Sequence, residues 1–260
     1  MRLGGTAAVV ISLACLASGC STSSSTASRP QSPASTPASR PWSIVALGDS
    51  VPSGANCDCR PYPPLTADDL AAKTHRAASA ANDAVGGATS ADVLAQVRSD
   101  ATIIGHVRAA DAIEIEIGAN DVSHSKSCGT AVDCYAPRLP PLEKNLAAIV
   151  ARVRELTSGR KVVVSLLDYW SVWLGGKYAA AKGPAYVSAA EEMTDRVNTI
   201  VKETAARTHS HYVDLRAAFK GPDYAYDETH YLSNDGDHPN AAGHAQIAKA
   251  VETEVGDALR

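Results

Sequence analysis

Apolar positions along the chain fall into short blocks with the period of strands and longer blocks with the period of helices. Ile44-Val45-Ala46-Leu47 runs unbroken and stops at Gly48-Asp49-Ser50, which marks a buried strand ending in a turn. Ala112-Ile113-Glu114-Ile115-Glu116-Ile117 alternates apolar and charged residues, the period of a strand, and stops at Gly118-Ala119-Asn120-Asp121. Lys161 to Leu167, of the Val-Val-Val type, reads as another buried strand. The small residues over 77–82 form a weak one ending at Asn82, and His211-Tyr212-Val213-Asp214-Leu215 is the last.

Helical spacing fills the intervals. Leu142, Leu146, Ile149, Val150, Val153 and Leu156 share one face of a helix that Gly159 ends. After a rigid proline-rich loop over 57–64, Thr66 reads as the N-cap of a helix over 67–75. Thr89 or Ser90 caps a helix through Val93, Leu94 and Val97. Met193, Val197, Ile200, Val201 and Thr204 line the inner side of a helix over 188–208, preceded by a long loop over 168–187. A polar loop over 220–237 leads to a final helix that starts near Pro239 or Asn240 and carries Ile247, Ala248, Val251 and Val255. Five strands alternating with helices predict an α/β fold. The expected architecture is a three-layer α/β/α sandwich around a flavodoxin-like, five-stranded parallel sheet.

Composition changes this picture mainly at the N-terminus. Arg2 followed by the mostly apolar Ala7 to Ala17 and then Leu16-Ala17-Ser18-Gly19-Cys20 has the pattern of a signal peptide over 1–20. It resembles a bacterial lipoprotein signal, with Cys20 the lipidated residue, although Leu16 stands one place further from the cysteine than usual; plain secretion is the alternative. The apolar run is shorter than the roughly 20 residues that span a bilayer. Residues 21–41 are Ser/Thr/Pro-rich and read as a disordered tether, leaving 42–260 as the one domain. The formal charge is −4, without a long basic run, so nucleic acid is not an expected partner. The membrane would be met only through Cys20, and the chain reads as a monomer. Outside the leader stand Cys57, Cys59, Cys128 and Cys134, an even number that suggests two disulfides in an exported chain. Two local pairs, or a crossed pairing between the loops, would satisfy it. A zinc site with His124 nearby is disfavoured by the Cys-x-Cys spacing.

Candidate chemistry lies at the strand ends, where open α/β sheets place it. Ser50 is the candidate nucleophile, and an inert hydroxyl needs a base. Of eight histidines, His238 stands in Asn234-Asp235-Gly236-Asp237-His238-Pro239. Asp235, three residues back across a glycine turn, can bend onto its Nδ1 and fix the tautomer. Asp227-Glu228-Thr229-His230 repeats the spacing without a helix start behind it and ranks below. Asp237, adjacent to the histidine, is disfavoured as its partner. The Ser50 N–H, the Gly87 N–H and the Asn120 side-chain amide are the candidate oxyanion donors, with Gly86 an alternative to Gly87. Each alone is also what an ordinary turn carries; their succession in this order is harder to assign to turns.

Together, Gly48-Asp49-Ser50, Gly87 in Gly-Gly-Ala-Thr, Gly118-Ala119-Asn120-Asp121 and Asp235-x-x-His238-Pro look like the four motif blocks of the SGNH (GDSL) hydrolases, with Val51 where the fourth letter is usually Leu. Tyr169-Trp170-Ser171-Val172-Trp173 and Gly183-Pro184-Ala185-Tyr186-Val187 resemble a branch of actinobacterial secreted members. The resemblance implies esterase or lipase-like hydrolysis of acyl esters without metal or cofactor. Ser50 would be the nucleophile, His238 the base, Asp235 its orienter, and Ser50, Gly87 and Asn120 the oxyanion hole. The substrate would be a small-molecule or glycan ester; a carbohydrate O-deacetylase is the alternative activity. A non-catalytic glycan- or lipid-binding lipoprotein is the alternative of another class. No Gly-x-Ser-x-Gly elbow occurs, which argues against an α/β-hydrolase.

Overall fold

Ile44 to Leu47 are fully buried in the computed structural model, at the centre of strand β1 (Trp42–Gly48). The structure describes residues 40–259; the leader, Cys20 and nearly all of the 21–41 tether lie outside the described residues. Around β1 runs an all-parallel sheet with β2 (Ala78–Asn82), β3 (Ala112–Glu116), β4 (Val163–Leu167) and β5 (His211–Val213), in the order β2-β1-β3-β4-β5. The chain steps outward one way from β1 to β2 and then back past β1 to β3. The reversal therefore falls between β1 and β3, where the ends of neighbouring strands open a crevice.

Helices α1 (Ser50–Ser53), α2 (Tyr62–Thr74), α3 (Ser90–Ser99), α4 (Ala101–Ala109), α5 (Leu139–Leu156), α6 (Gly176–Ala180), α7 (Pro184–Arg207), α8 (Leu215–Lys220) and α9 (Ala241–Val255) cover the sheet. Several differ from expectation. Helix α2 starts five residues before 67, and Thr66 is not its cap but is fully buried within it. Pro63 and Pro64 sit in the first turn, where amides have no intrahelical acceptor, so proline costs no bond there. Helix α4 follows α3 after one residue, Asp100, whose carboxylate accepts from Thr102 N and Ile103 N at 2.8 and 3.1 Å. Strand β5 ends at Val213 because Asp214 turns away to cap α8, accepting from Ala217 N at 2.7 Å. Segment 168–187 holds α6 and the start of α7, with Pro184 again in a first turn.

Strand β3 breaks the rule its own pattern suggests. Alternation of Ile with Glu ordinarily marks a sheet with one wet face. Here Glu114 and Glu116 are 1% and 0% exposed, because α2 covers that face with Tyr62 and Thr66 opposite them. Burial pushes both carboxyls well above the ordinary glutamate range; the hydroxyls of Thr66 and Tyr62 oppose that rise without cancelling it. Cys57 is joined to Cys59 and Cys128 to Cys134, the two local pairs. His124, the one histidine near Cys128, packs instead edge-on to Trp173 at 4.9 Å between ring centres.

Candidate active site

Ser50 is placed by the end of β1. In register with Glu116, Gly48 has φ +155°, and a Cβ there would collide with the Glu116 carbonyl oxygen, so this close approach of β1 to β3 requires glycine. The next residue, Asp49, is buried and caps α1. Its carboxylate accepts from Val51 N at 3.1 Å and from the Tyr169 hydroxyl at 2.6 Å. Burial pushes the Asp49 carboxyl up to about 6, against the pull of these two donors. Ser50 is thus the first residue of a short helix, and its own N–H, with no intrahelical acceptor, stays uncommitted.

His238 arrives from the other end of the chain on a closed loop. Leu232 bridges to Pro239, Ser233 N donates to His238 O at 2.8 Å, and Gly175 N donates to Gly236 O at 2.8 Å. Gly236 has φ +75°, and a side chain there would run into the Tyr178 ring. Asn240 ends the loop and caps α9, accepting from Ala242 N and Gly243 N at 2.9 and 3.1 Å. Within it, Asp235 Oδ2 lies 2.7 Å from His238 Nδ1, and Asp235 Oδ1 accepts from the Asp237 and His238 amides at 3.0 and 3.1 Å. Burial raises the Asp235 carboxyl, but those bonds and one from Asn56 outweigh it and hold the group below the ordinary range. An ionised Asp235 accepts a hydrogen bond from Nδ1–H, which keeps the proton on Nδ1 and leaves Nε2 as the basic nitrogen. The Asp227 carboxylate, by contrast, accepts from Thr229 and does not reach His230.

Asn120 follows β3 in a 3₁₀ turn over Ala119–Val122. Its Nδ2 donates to Ala88 O at 3.0 Å, which leaves the second amide hydrogen for the cavity. The next residue, Asp121, ties this turn to α3, accepting from Ser90 N at 2.9 Å and Ser90 Oγ at 2.5 Å. The Gly86–Ala88 turn is held to β1 through Val85 N to Gly48 O at 3.0 Å, and Gly87 has φ +80°.

A cavity of about 400 Å³ lies at the crevice, within the range of small-molecule sites. Ser50, Asn120 and His238 share its wall with Trp170, Trp173 and Tyr186. No hydrogen bond joins Ser50 to His238 here; such contacts often tighten only when substrate binds. Gly86 and Gly87 are exposed at the turn beside Asn120 and do not line the cavity, so the structure brings together Ser50, Asn120, His238 and Asp235 but not the glycine. Trp170 and Trp173 are both buried and both on the wall: Trp170 stacks on Phe219 at 4.3 Å, and Trp173 Nε1 donates to Val122 O at 2.8 Å. Three residues have a part in the site that the sequence pattern did not assign. Tyr169 holds Asp49, Asp121 holds the Asn120 turn, and Asn56 bonds Asp235; Asp121, adjoining Asn120 in its motif block, was the one within reach.

The sequence model of the GDSL-like lipase/acylhydrolase family matches residues 46–246. No curated protein matches the chain significantly. Among solved structures, a lipase from a goat rumen metagenome superposes with a TM-score of 0.65 at 21% identity, covering 82% of this chain and 96% of its own. An acetylxylan esterase from Geobacillus stearothermophilus gives 0.59 at 23% identity, covering 83% of this chain and 94% of its own.

Proposed function

The chain belongs to the GDSL-like lipase/acylhydrolase family and is a carboxylic ester hydrolase, and from that premise we propose that it is an exported serine esterase working through Ser50, His238 and Asp235. The observation that carries this reading is the meeting of Ser50, Asn120 and His238 on one cavity wall, with Asp235 2.7 Å behind the imidazole. His238 Nε2 takes the Ser50 proton as Oγ attacks the ester carbonyl. The oxyanion is held by the Ser50 N–H and the Asn120 amide, the two candidate donors on the cavity wall. His238 protonates the leaving alcohol, an acyl-Ser50 forms, and water activated by His238 releases the acid. Ser50→Ala in folded protein is expected to abolish hydrolysis of a short p-nitrophenyl ester and labelling by a fluorophosphonate. Substantial remaining activity would overturn the assignment.

A glycan O-deacetylase is the second reading, and the cavity wall favours it over a long-chain lipase. Ser123, His124, Lys182 and Asp237 line the cavity beside Trp170 and Trp173, a polar share suited to hydrogen-bonding a sugar that carries a short acyl group. Hydrolysis of acetylated oligosaccharides set against acetyl to long-chain esters decides between them. We also propose that Cys20 anchors the chain to the envelope; the two disulfides agree with an oxidising compartment.

A further inference from the structure

We propose that Asn56, held by the Cys57–Cys59 disulfide, is a positioning residue for the His238–Asp235 pair. This rests on the catalytic reading above and extends it to a loop distant in sequence. Asn56 Nδ2 donates to Asp235 Oδ2 at 2.7 Å, the same oxygen that receives His238 Nδ1, and lies 3.3 Å from that nitrogen. Because Nδ1 gives its one hydrogen to Asp235, it has no lone pair left for Asn56. Two donors therefore converge on Oδ2 while two backbone amides converge on Oδ1, and the carboxylate cannot turn without breaking one of them. The pair needs this restraint, since the His238 and Asp235 side chains are 13% and 30% exposed and water competes for Oδ2.

The loop bearing Asn56 is held in an unfavourable shape. Gly54, Asn56 and Asp58 have φ of +81°, +57° and +49°, three left-handed residues within five, two of them not glycine. Asn and Asp tolerate that region better than other side chains but do not seek it. The Cys57–Cys59 bond closes on itself around Asp58, directly after Asn56, and limits the conformations to which the loop could relax. Its sulfurs lie near His244 of α9, whose Nδ1 accepts from Tyr62 N at 3.2 Å, so the loop is seated on the helix that the His238 loop opens.

The charged and titratable groups around His238 are Asp235 and Asp237 of its own loop, Asp49 at the cap of α1 and His244 of α9. Asn56 draws electron density from Asp235 without adding charge. Its loss makes Asp235 a stronger acceptor for the imidazolium, which moves the acid limb of the kcat/KM profile to higher pH. Asn56→Ala is expected to lower kcat about ten- to hundredfold with KM nearly unchanged, with that shift of the acid limb. Asn56→Asp keeps the shape, adds a like charge beside Asp235 and should move the limb further. Cys57→Ser with Cys59→Ser should reproduce the Asn56→Ala effect, and combining all three should add little. Ser50→Ala runs alongside: if it stays active, the catalytic reading fails. If it is inactive while the Asn56 variants keep both kcat and the acid limb, the positioning role alone is refuted. A fall in kcat with an unmoved limb refutes it also, because it marks only a structural loss.

Discussion

The residue with the most readily measured share of the proposed chemistry is Asn120. One amide hydrogen is spent on Ala88 O and the other faces a cavity that Ser50 and His238 also line. Asn120→Ala removes an oxyanion donor and is expected to lower kcat about 10²–10³-fold with little change in KM, measured on the best ester of the panel. Asp49 is the residue that sets the position of its neighbour Ser50. It is buried, takes the Tyr169 hydroxyl and the Val51 amide, and so fixes the turn on which Ser50 stands. Gly48 completes that turn because nothing larger fits against the Glu116 carbonyl.

At the scale of elements, α3 holds the turn that carries Asn120 through Ser90 and Asp121. Thr89 and Asp92 form a reciprocal capping box, with Thr89 N donating to Asp92 Oδ2 at 2.9 Å, and Ser90 is clasped by Asp121. Thr89→Ala is expected to cost about 1 kcal/mol, read from the urea midpoint at unchanged slope. It should also lower kcat slightly, because Thr89 continues the Gly86–Ala88 turn on which Asn120 leans. That cap is the kind of feature sequence spacing reveals. Where Thr66 failed as a cap, two prolines ahead of it had already opened α2, and the hydroxyl went inward toward Glu114.

At the scale of the whole molecule, the buried carboxyls set the pH response. Burial raises Asp49 to about 6 and Asp168 to about 7, and holds Glu114 and Glu116 well above their ordinary range. In the unfolded chain each ionises near pH 4, so between that value and the folded one the folded state binds more protons. The stability these carboxyls contribute is therefore full below about pH 4 and is lost as pH rises through the folded values, about 3 kcal/mol of it from Asp49 alone. Asp235 and Asp92, held below the ordinary range, act in the opposite sense only at lower pH, while His244, which burial lowers to about 4, acts in the opposite sense up to its unfolded value near 6.5 and offsets part of the fall. Urea unfolding should show lower stability at pH 7.5 than at pH 5, and Glu114→Gln with Glu116→Gln should flatten the slope. A stability that rises across this window would refute the account.

The sequence by itself determined the alternation of strands and helices, and with it the parallel sheet and the strand ends carrying Ser50 and Asn120. Period and turn chemistry are local, and each block of this chain agrees with the next. Spacing likewise joined Asp235 to His238, since three residues across a glycine turn bring a carboxylate back to its own loop. Tertiary structure alone decided that β3 is covered on both faces, that Ser50 and His238, 188 positions apart in number, share a cavity, that Gly87 stands outside its wall, and that Asn56 reaches Asp235. These depend on which helix covers which face and which loop meets which. Residues far apart in the chain leave no period in the sequence to record such meetings.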